Sequence, residues 1–368
     1  MRSTSTPWSS SRRRSPIAVL LAITAVFLAG CGNDPGTGGS AGSSDKITYV
    51  ESIRSLSNEY HANWVKGGEF FNETTGKGSV KVLTDEGEDQ TQLSKVKAQL
   101  AGGGENVVIN VDPNSPANTE ALVREAQDAG AYIVTQWNKP DDLHPWDGND
   151  RWIAHISFDG NIQGKQTAGE LFKAMGGKGN IIALQGILDN VPAKQRFAGL
   201  KAAMGDNPGI KLLEDQAADW DQQKAFQVTQ TLLTKYGDRI DGVYAANDSM
   251  ALGALEVLRS KGLAGKVPIV SASDATADAI KAIQKGEMVA TTSTDAFWQG
   301  GIGLALGKQA IEGKLDPKEL PNEQREFYGK TFLVTKANAD EYLTPPTADS
   351  LTKDWQDPFS RAAGPIEY

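Results

Sequence analysis

At 368 residues the chain exceeds what one ordinary hydrophobic core supports and is long enough for two lobes. Hydrophobic residues make up 39% and charged residues 23%, a globular profile, and the formal net charge of −9 argues against a nucleic-acid partner, which needs a basic face. Three histidines and one cysteine leave little material for zinc sites or thiol chemistry, so no metal and no cofactor are expected.

The chain opens with Arg12-Arg13-Arg14, then an apolar run of 12 residues over 17–28, then Leu28-Ala29-Gly30-Cys31. A basic segment, a short apolar segment and small residues before a cut make an export signal over 1–30. Twelve residues are too few to cross a hydrocarbon core of about 30 Å as a helix. Leu-Ala-Gly-Cys resembles the bacterial lipobox, which implies lipidation at Cys31 and anchoring to the outer face of the cytoplasmic membrane. Residues 31–45 read as a Gly/Ser-rich tether with nothing to bury; its flexible reach is roughly 20 Å.

From residue 46 strands and helices alternate. Strand patterns cover 47–52, 80–83, 107–109 and 132–136. The intervening helices carry Tyr60, Trp64, Gly67, Gly68 and Phe71 on one face, then Leu93, Val96 and Leu100, then residues 117–129. A turn-rich loop, 138–150, interrupts the series. The rhythm restarts with strands at 152–157, 181–184, 211–216, 243–246, 269–271, 288–292 and 332–334. Helices at 164–175, 193–204, 222–235, 249–255, 277–283 and 297–311 separate them. Strands joined by helices are βαβ units, so the expected fold is α/β, two doubly wound parallel-sheet lobes joined by a hinge. The lobes are expected at 46–156 plus 295–326 and at 157–294 plus 327–345, with an irregular tail over 346–368.

In open α/β sheets ligands bind beyond the carboxyl ends of the strands. Asn247-Asp248 sits at such a turn, between Val243-Tyr244-Ala245-Ala246 and a helical run. Asp248 suits the helix N-cap, whereas the Asn247 amide, both donor and acceptor, suits a pair of hydroxyls.

Several stretches in order resemble ribose-type (type I) periplasmic sugar-binding proteins of ABC importers. They are Ser55-Leu56-Ser57-Asn58-Glu59-Tyr60-His61 after the first strand, Val-Val-Ile-Asn-Val-Asp over 107–112, and Ala-Lys-Gln-Arg-Phe-Ala-Gly over 193–199. Asp219-Trp220-Asp221, Gln230-Thr231-Leu232-Leu233, residues 246–255 and residues 270–274 complete the set. The resemblance spans 46–334. It implies ligand contacts at Asn58, Tyr60, His61, Asn110, Arg196, Trp220, Asn247 and Asp274. Thr294 stands where the family commonly has glutamine, with Asp295 beside it. Where the family usually has Asp-Arg, this chain has Trp137-Asn138, which implies a shifted ligand, either a different pentose or hexose or an open-chain sugar alcohol.

The resemblance further implies a monomer that hands a sugar or polyol to a permease driven by a separate ATPase, and no enzyme activity. No G-x-x-x-x-G-K-[ST] loop occurs, so the chain is not itself the ATPase. A lipoprotein feeding a signalling receptor is the alternative. A lipid-anchored glycosidase would need two carboxylates flanking the bond, for which Asp274 and Asp295 are the candidates. A repressor sharing this core is disfavoured by the exported N-terminus, which reads as no helix-turn-helix, and by the chain's net charge of −9.

Overall fold

The computed structural model describes residues 46–75, 78–148 and 150–368. Cys31, the lipobox and the tether lie outside the described residues.

β1 (Ile47–Ile53), α1 (Glu59–Thr75), β2 (Gly78–Thr84), α2 (Asp89–Leu100), β3 (Val107–Val111), α3 (Pro116–Ala129), β4 (Tyr132–Gln136) and β5 (Trp152–Ser157) form the first series. The second runs through α4 (Gly160–Ala174), β6 (Gly179–Gln185), α5 (Val191–Asp206), β7 (Ile210–Ala217), α6 (Gln222–Tyr236), β8 (Gly242–Ala245), α7 (Asp248–Ser260), β9 (Ile269–Ser271), α8 (Ala277–Gln284) and β10 (Ala290–Ser293). The chain closes with α9 (Ala296–Ile311), α10 (Asn322–Arg325), β11 (Glu326–Gly329), β12 (Phe332–Thr335), α11 (Ala348–Gln356) and β13 (Ala362–Pro365).

One sheet has the order β13-β11-β5-β4-β3-β1-β2 and the other β12-β10-β9-β8-β6-β7. All pairings are parallel except β11–β13 and β10–β12. Helices cover both faces, which is why all five residues of β3 are buried. In both sheets the strand order reverses beside the first strand of the series, between β1 and β3 and between β6 and β8. Those reversals open a crevice at the carboxyl ends, and the two crevices face each other.

Two expectations about the chain's end need correction. Residues 327–329 are expected in the second lobe, yet β11 pairs with β5 in the first sheet. The tail 346–368 was expected to be irregular, yet α11 packs on α1 and α9, and β13 adds an edge strand to the first sheet. The tail is polar on average but places Leu351 and Trp355 four apart, and both are buried. The chain therefore passes between lobes at 158–159, at Thr294-Asp295, at Lys330-Thr331, and again through Leu343 to Thr347 after a turn that packs on α8.

α1 and α9 meet backbone to backbone. A Cβ added at Gly67 would lie 1.9 Å from the Phe297 carbonyl oxygen, and one at Gly300 would lie 1.8 Å from that of Trp64. Gly300→Ala is expected to cost about 1–3 kcal/mol of stability by prying the helices apart. Chemical denaturation of the variant beside the parent checks this; an unchanged midpoint would mean the contact relaxes freely.

Candidate functional site

The facing strand tips enclose one cavity. From the first lobe it is lined by Arg54, Asn58, Tyr60, His61, Asp112, Pro113, Trp137 and Asn138. From the second come Asn190, Pro192, Arg196, Trp220, Asn247 and Asp274. Asn58, Tyr60, His61, Trp137, Asn138, Arg196, Trp220, Asn247 and Asp274, singled out from the sequence, are thus brought together.

Arg196 lies near the centre. Nε donates to Gln163 Oε1 at 2.9 Å and Nη1 to the Ala246 carbonyl at 3.0 Å. The guanidinium carbon sits 5.1 Å from the Trp137 ring centre and 5.7 Å from that of Trp220, indoles from opposite lobes. Burial lowers its pKa and Asp274 opposes the shift. It remains a cation with N–H groups to spare.

Asp274 has φ 118° and a buried Oδ2 with no hydrogen-bond partner among the described residues. Burial raises its pKa, the Asp248 charge adds to the rise, and Arg196 works against it. An unpartnered buried carboxyl oxygen is costly unless a ligand hydroxyl donates to it. On the first lobe His61 Nε2 lies 3.1 Å from Asp112 Oδ2. His61 Nδ1 and Asp112 Oδ1 are likewise buried without partners among the described residues.

Other polar groups are already engaged, which narrows their roles. The Tyr60 hydroxyl accepts from Trp137 Nε1 at 2.6 Å and donates to Gln299 Oε1 at 2.7 Å, so Tyr60 offers its ring. Asn138 donates to the Pro113 carbonyl at 2.9 Å and accepts from Val191 N at 3.1 Å. Asn190 donates to the Asn114 carbonyl and accepts from Trp220 Nε1, both at 2.9 Å. The bonds to Val191 and Asn114 cross between lobes. So does the 2.9 Å bond from Ala277 N to Glu59 Oε1 at the start of α8. The lobes are in contact across the cleft.

Asn58 Oδ1 accepts from Tyr60 N at 2.9 Å and Asn247 Oδ1 from Met250 N at 3.0 Å, so both cap helices and keep Nδ2 as the donor they can offer. This corrects the expectation that Asp248 is the cap. Asp248, the first residue of α7, is buried and accepts from Thr276 N, Thr276 Oγ1 and Thr291 Oγ1 at 2.7, 3.0 and 2.7 Å, tying neighbouring strand ends together. Asn247→Ala is therefore expected to lose about 1 kcal/mol of ligand-free stability with the cap. Asn247→Ser should keep the cap and lose the amide donor. Melting curves of both variants beside titrations separate the two roles; equal melting points would remove the cap assignment.

Three expected contacts lie elsewhere. Asn110 is buried behind the cavity, donating to Glu51 Oε2 and the Gln299 carbonyl at 3.0 Å and to the Gly300 carbonyl at 3.1 Å. It belongs to the ladder of β3, whereas Asp112, one residue past that strand, reaches the cavity. Thr294 and Asp295 sit where the chain passes between lobes. Thr294 Oγ1 accepts from Gln299 Nε2 at 2.8 Å. Asp295 caps α9 through Trp298 N at 3.2 Å and pairs with Arg361 at 2.6 Å. Held there, Asp295 does not line the cavity that Asp274 lines. Sequence reasoning missed Arg54, Asp112, Pro113, Asn190 and Pro192. The signal for Asp112 was its place immediately after a buried strand, and for Asn190 its place just ahead of α5.

Trp137 (φ 66°) and Trp220 (φ 65°) share the left-handed backbone region that non-glycine residues rarely occupy. Such strain collects at ligand clamps, where surrounding packing holds it. Among the described residues no cluster of His, Cys, Asp or Glu could hold a metal, and no helix is long and apolar enough to cross a membrane.

Comparison with known proteins matches residues 52–315 to the periplasmic binding protein domain. The ribose import binding protein RbsB of Haemophilus influenzae is 32% identical over 170 residues, 46% of this chain and 56% of that one. A xylitol-binding protein of Mycolicibacterium smegmatis is 34% identical over 167 residues, 43% of this chain and 47% of its own. The chain thus spans about half the length of these two relatives. The crystal structure of a twin-arginine translocation pathway signal protein from Burkholderia phytofirmans is 46% identical, with a TM-score of 0.84, covering 88% of this chain and 99% of its own. Two parallel-sheet lobes with a polar, aromatic-walled cavity between facing strand tips, and a family match over most of the chain, place this protein in the periplasmic binding protein family, whose members bind solutes rather than transform them.

Proposed function

We propose that the protein binds a monosaccharide or sugar alcohol between its lobes and delivers it to the permease of an ABC importer with a separate ATPase. It does so from the outer face of the cytoplasmic membrane, anchored through Cys31. The observation that carries the reading is the meeting, in one cavity, of two indoles, a buried guanidinium and three unpartnered buried polar atoms, on Asp112, His61 and Asp274. Indole faces suit the C–H surfaces of a carbohydrate, and charged donors and acceptors suit its hydroxyls.

Trp137-Asn138 favours an acyclic polyol over a pyranose. The Asn138 amide is tied to Pro113 and Val191, so this corner supplies an apolar wall and no charged pair for ring and anomeric oxygens. The resemblance to a xylitol-binding protein points the same way. Closure requires that the ligand bind the closed form more tightly than the open one.

Isothermal titration across pentoses, hexoses and four- to six-carbon sugar alcohols tests the reading. A polyol is expected to bind most tightly and to be recovered chemically unchanged. Binding confined to cyclic sugars would remove the polyol preference, and no binding by any of them would remove the carbohydrate reading.

A further inference from the structure

We infer that Gln299 is a positioning residue that couples the aromatic wall of the cavity to the hinge, an inference that rests on the binding reading above. Gln299 is fully buried in the first turn of α9 and does not line the cavity. Its Oε1 accepts from the Tyr60 hydroxyl at 2.7 Å. Its Nε2 donates to Thr294 Oγ1 at 2.8 Å and to the Thr294 carbonyl at 3.2 Å. Its carbonyl accepts from Gln136 Nε2 at 2.9 Å, which pins the backbone to β4.

The direction of this chain of bonds follows from chemistry. An indole N–H can only donate, so Trp137 makes the Tyr60 oxygen an acceptor and sends the phenolic proton to Gln299. The amide orientation is thereby fixed, Oε1 toward Tyr60 and Nε2 toward Thr294. Thr294 joins β10 of the second lobe to α9 of the first, beside Asp295 with its left-handed backbone. Trp137 is tied to a second passage as well: its ring lies 4.9 Å from that of Phe158, just after β5. A ligand that sets the Trp137 ring therefore acts on the hinge backbone through two side chains. Lobe rotation at Thr294 acts back on the wall through the same pair. A core amide that only filled space would be satisfied by any neighbour; this one links a cavity wall to a passage between lobes.

The test is a double-mutant cycle of Tyr60→Phe and Gln299→Leu, titrated with xylitol and D-ribose, with small-angle scattering to follow compaction. Each single variant is expected to weaken both ligands by a common factor, roughly tenfold, and to reduce ligand-induced compaction. The double variant should be no weaker than the weaker single one, because both cut the same chain. Additive losses, or a fall in melting temperature with unchanged affinity, would overturn the inference. Should Gln299→Leu fail to fold, Thr294→Val removes only the hydroxyl acceptor, and unaltered compaction in that variant would overturn it equally. Tryptophan emission of the ligand-free protein separates this idea from the carbohydrate reading. Gln299→Leu should shift it in the parent and leave it unshifted in a Trp137→Phe background, even if no tested sugar binds; identical shifts in both backgrounds would end the coupling.

Discussion

Replacing Arg196 with methionine is expected to weaken ligand binding by about 2–5 kcal/mol, the cost of truncating a buried, hydrogen-bonded charge. Methionine keeps much of the stem's volume and removes the fork, so loss of packing contributes little. Arg196 is held from behind by Gln163 and the Ala246 carbonyl, and its aim depends on how closely α4 approaches α5. A Cβ at Gly164 would fall 2.1 Å from the Arg196 carbonyl oxygen, so only glycine lets the helices meet there. Held in this way, the guanidinium lies between two indoles that belong to different lobes, and removing it unhooks ligand and closure together. Lysine should rescue poorly, because a point charge on a flexible stem cannot reach Gln163, Ala246 and a ligand at once. Calorimetric titration of both variants decides the matter. Parental affinity in the methionine variant would show that the ligand binds elsewhere.

The second large effect concerns Asp274 and is two-sided. Asp274→Asn is expected to weaken binding by about 1–3 kcal/mol, because an amide NH2 in place of a carboxyl oxygen cannot accept from a ligand hydroxyl, and to stabilise the ligand-free protein at neutral and higher pH. The sign follows from linkage. Burial and the Asp248 charge raise the folded-state pKa of Asp274 above its unfolded value, against the pull of Arg196. The unfolded state then releases its proton first as pH rises from about 4. The contribution of Asp274 to stability is complete below that point and is lost as pH climbs through the raised folded value. The parent's ligand-free melting temperature should decline over that window more steeply than the variant's, and the two should converge in acid. A difference between them independent of pH would dispose of this account. Asp248 answers to the same burial but is held by three donors, so its removal should cost stability at every pH.

The contacts between lobes bear on how a ligand acts. Asn138 with Val191, Asn190 with Asn114 and Glu59 with Ala277 hold the closed arrangement through the protein's own bonds. A ligand need add only the difference between closed and open forms. Most of that difference lies with Arg196, Asp274, His61, Asp112 and the Nδ2 donors of Asn58 and Asn247, because the amides of Asn138 and Asn190 and the Tyr60 hydroxyl are engaged within the protein.

Sequence by itself was enough for the alternation of strand and helix, since a buried parallel strand and an amphipathic helix each repeat locally and need no partner to be read. The strand-tip rule and the ordered resemblance were likewise enough to bring Asn58, Tyr60, His61, Arg196, Trp220, Asn247 and Asp274 into view, because parallel βαβ units send every such tip to one side. Only the tertiary structure decided which polar atoms are free. Asn247 rather than Asp248 takes the cap, Asn110 is consumed behind the cavity, and Asp295 is held by Arg361 from a tail that sequence reading left shapeless. Those outcomes depend on partners 28 to 190 residues away, or on a left-handed backbone at a tryptophan, and neither leaves a mark in local composition. A side chain's type says which bonds it can make; what packs against it decides which remain for a ligand.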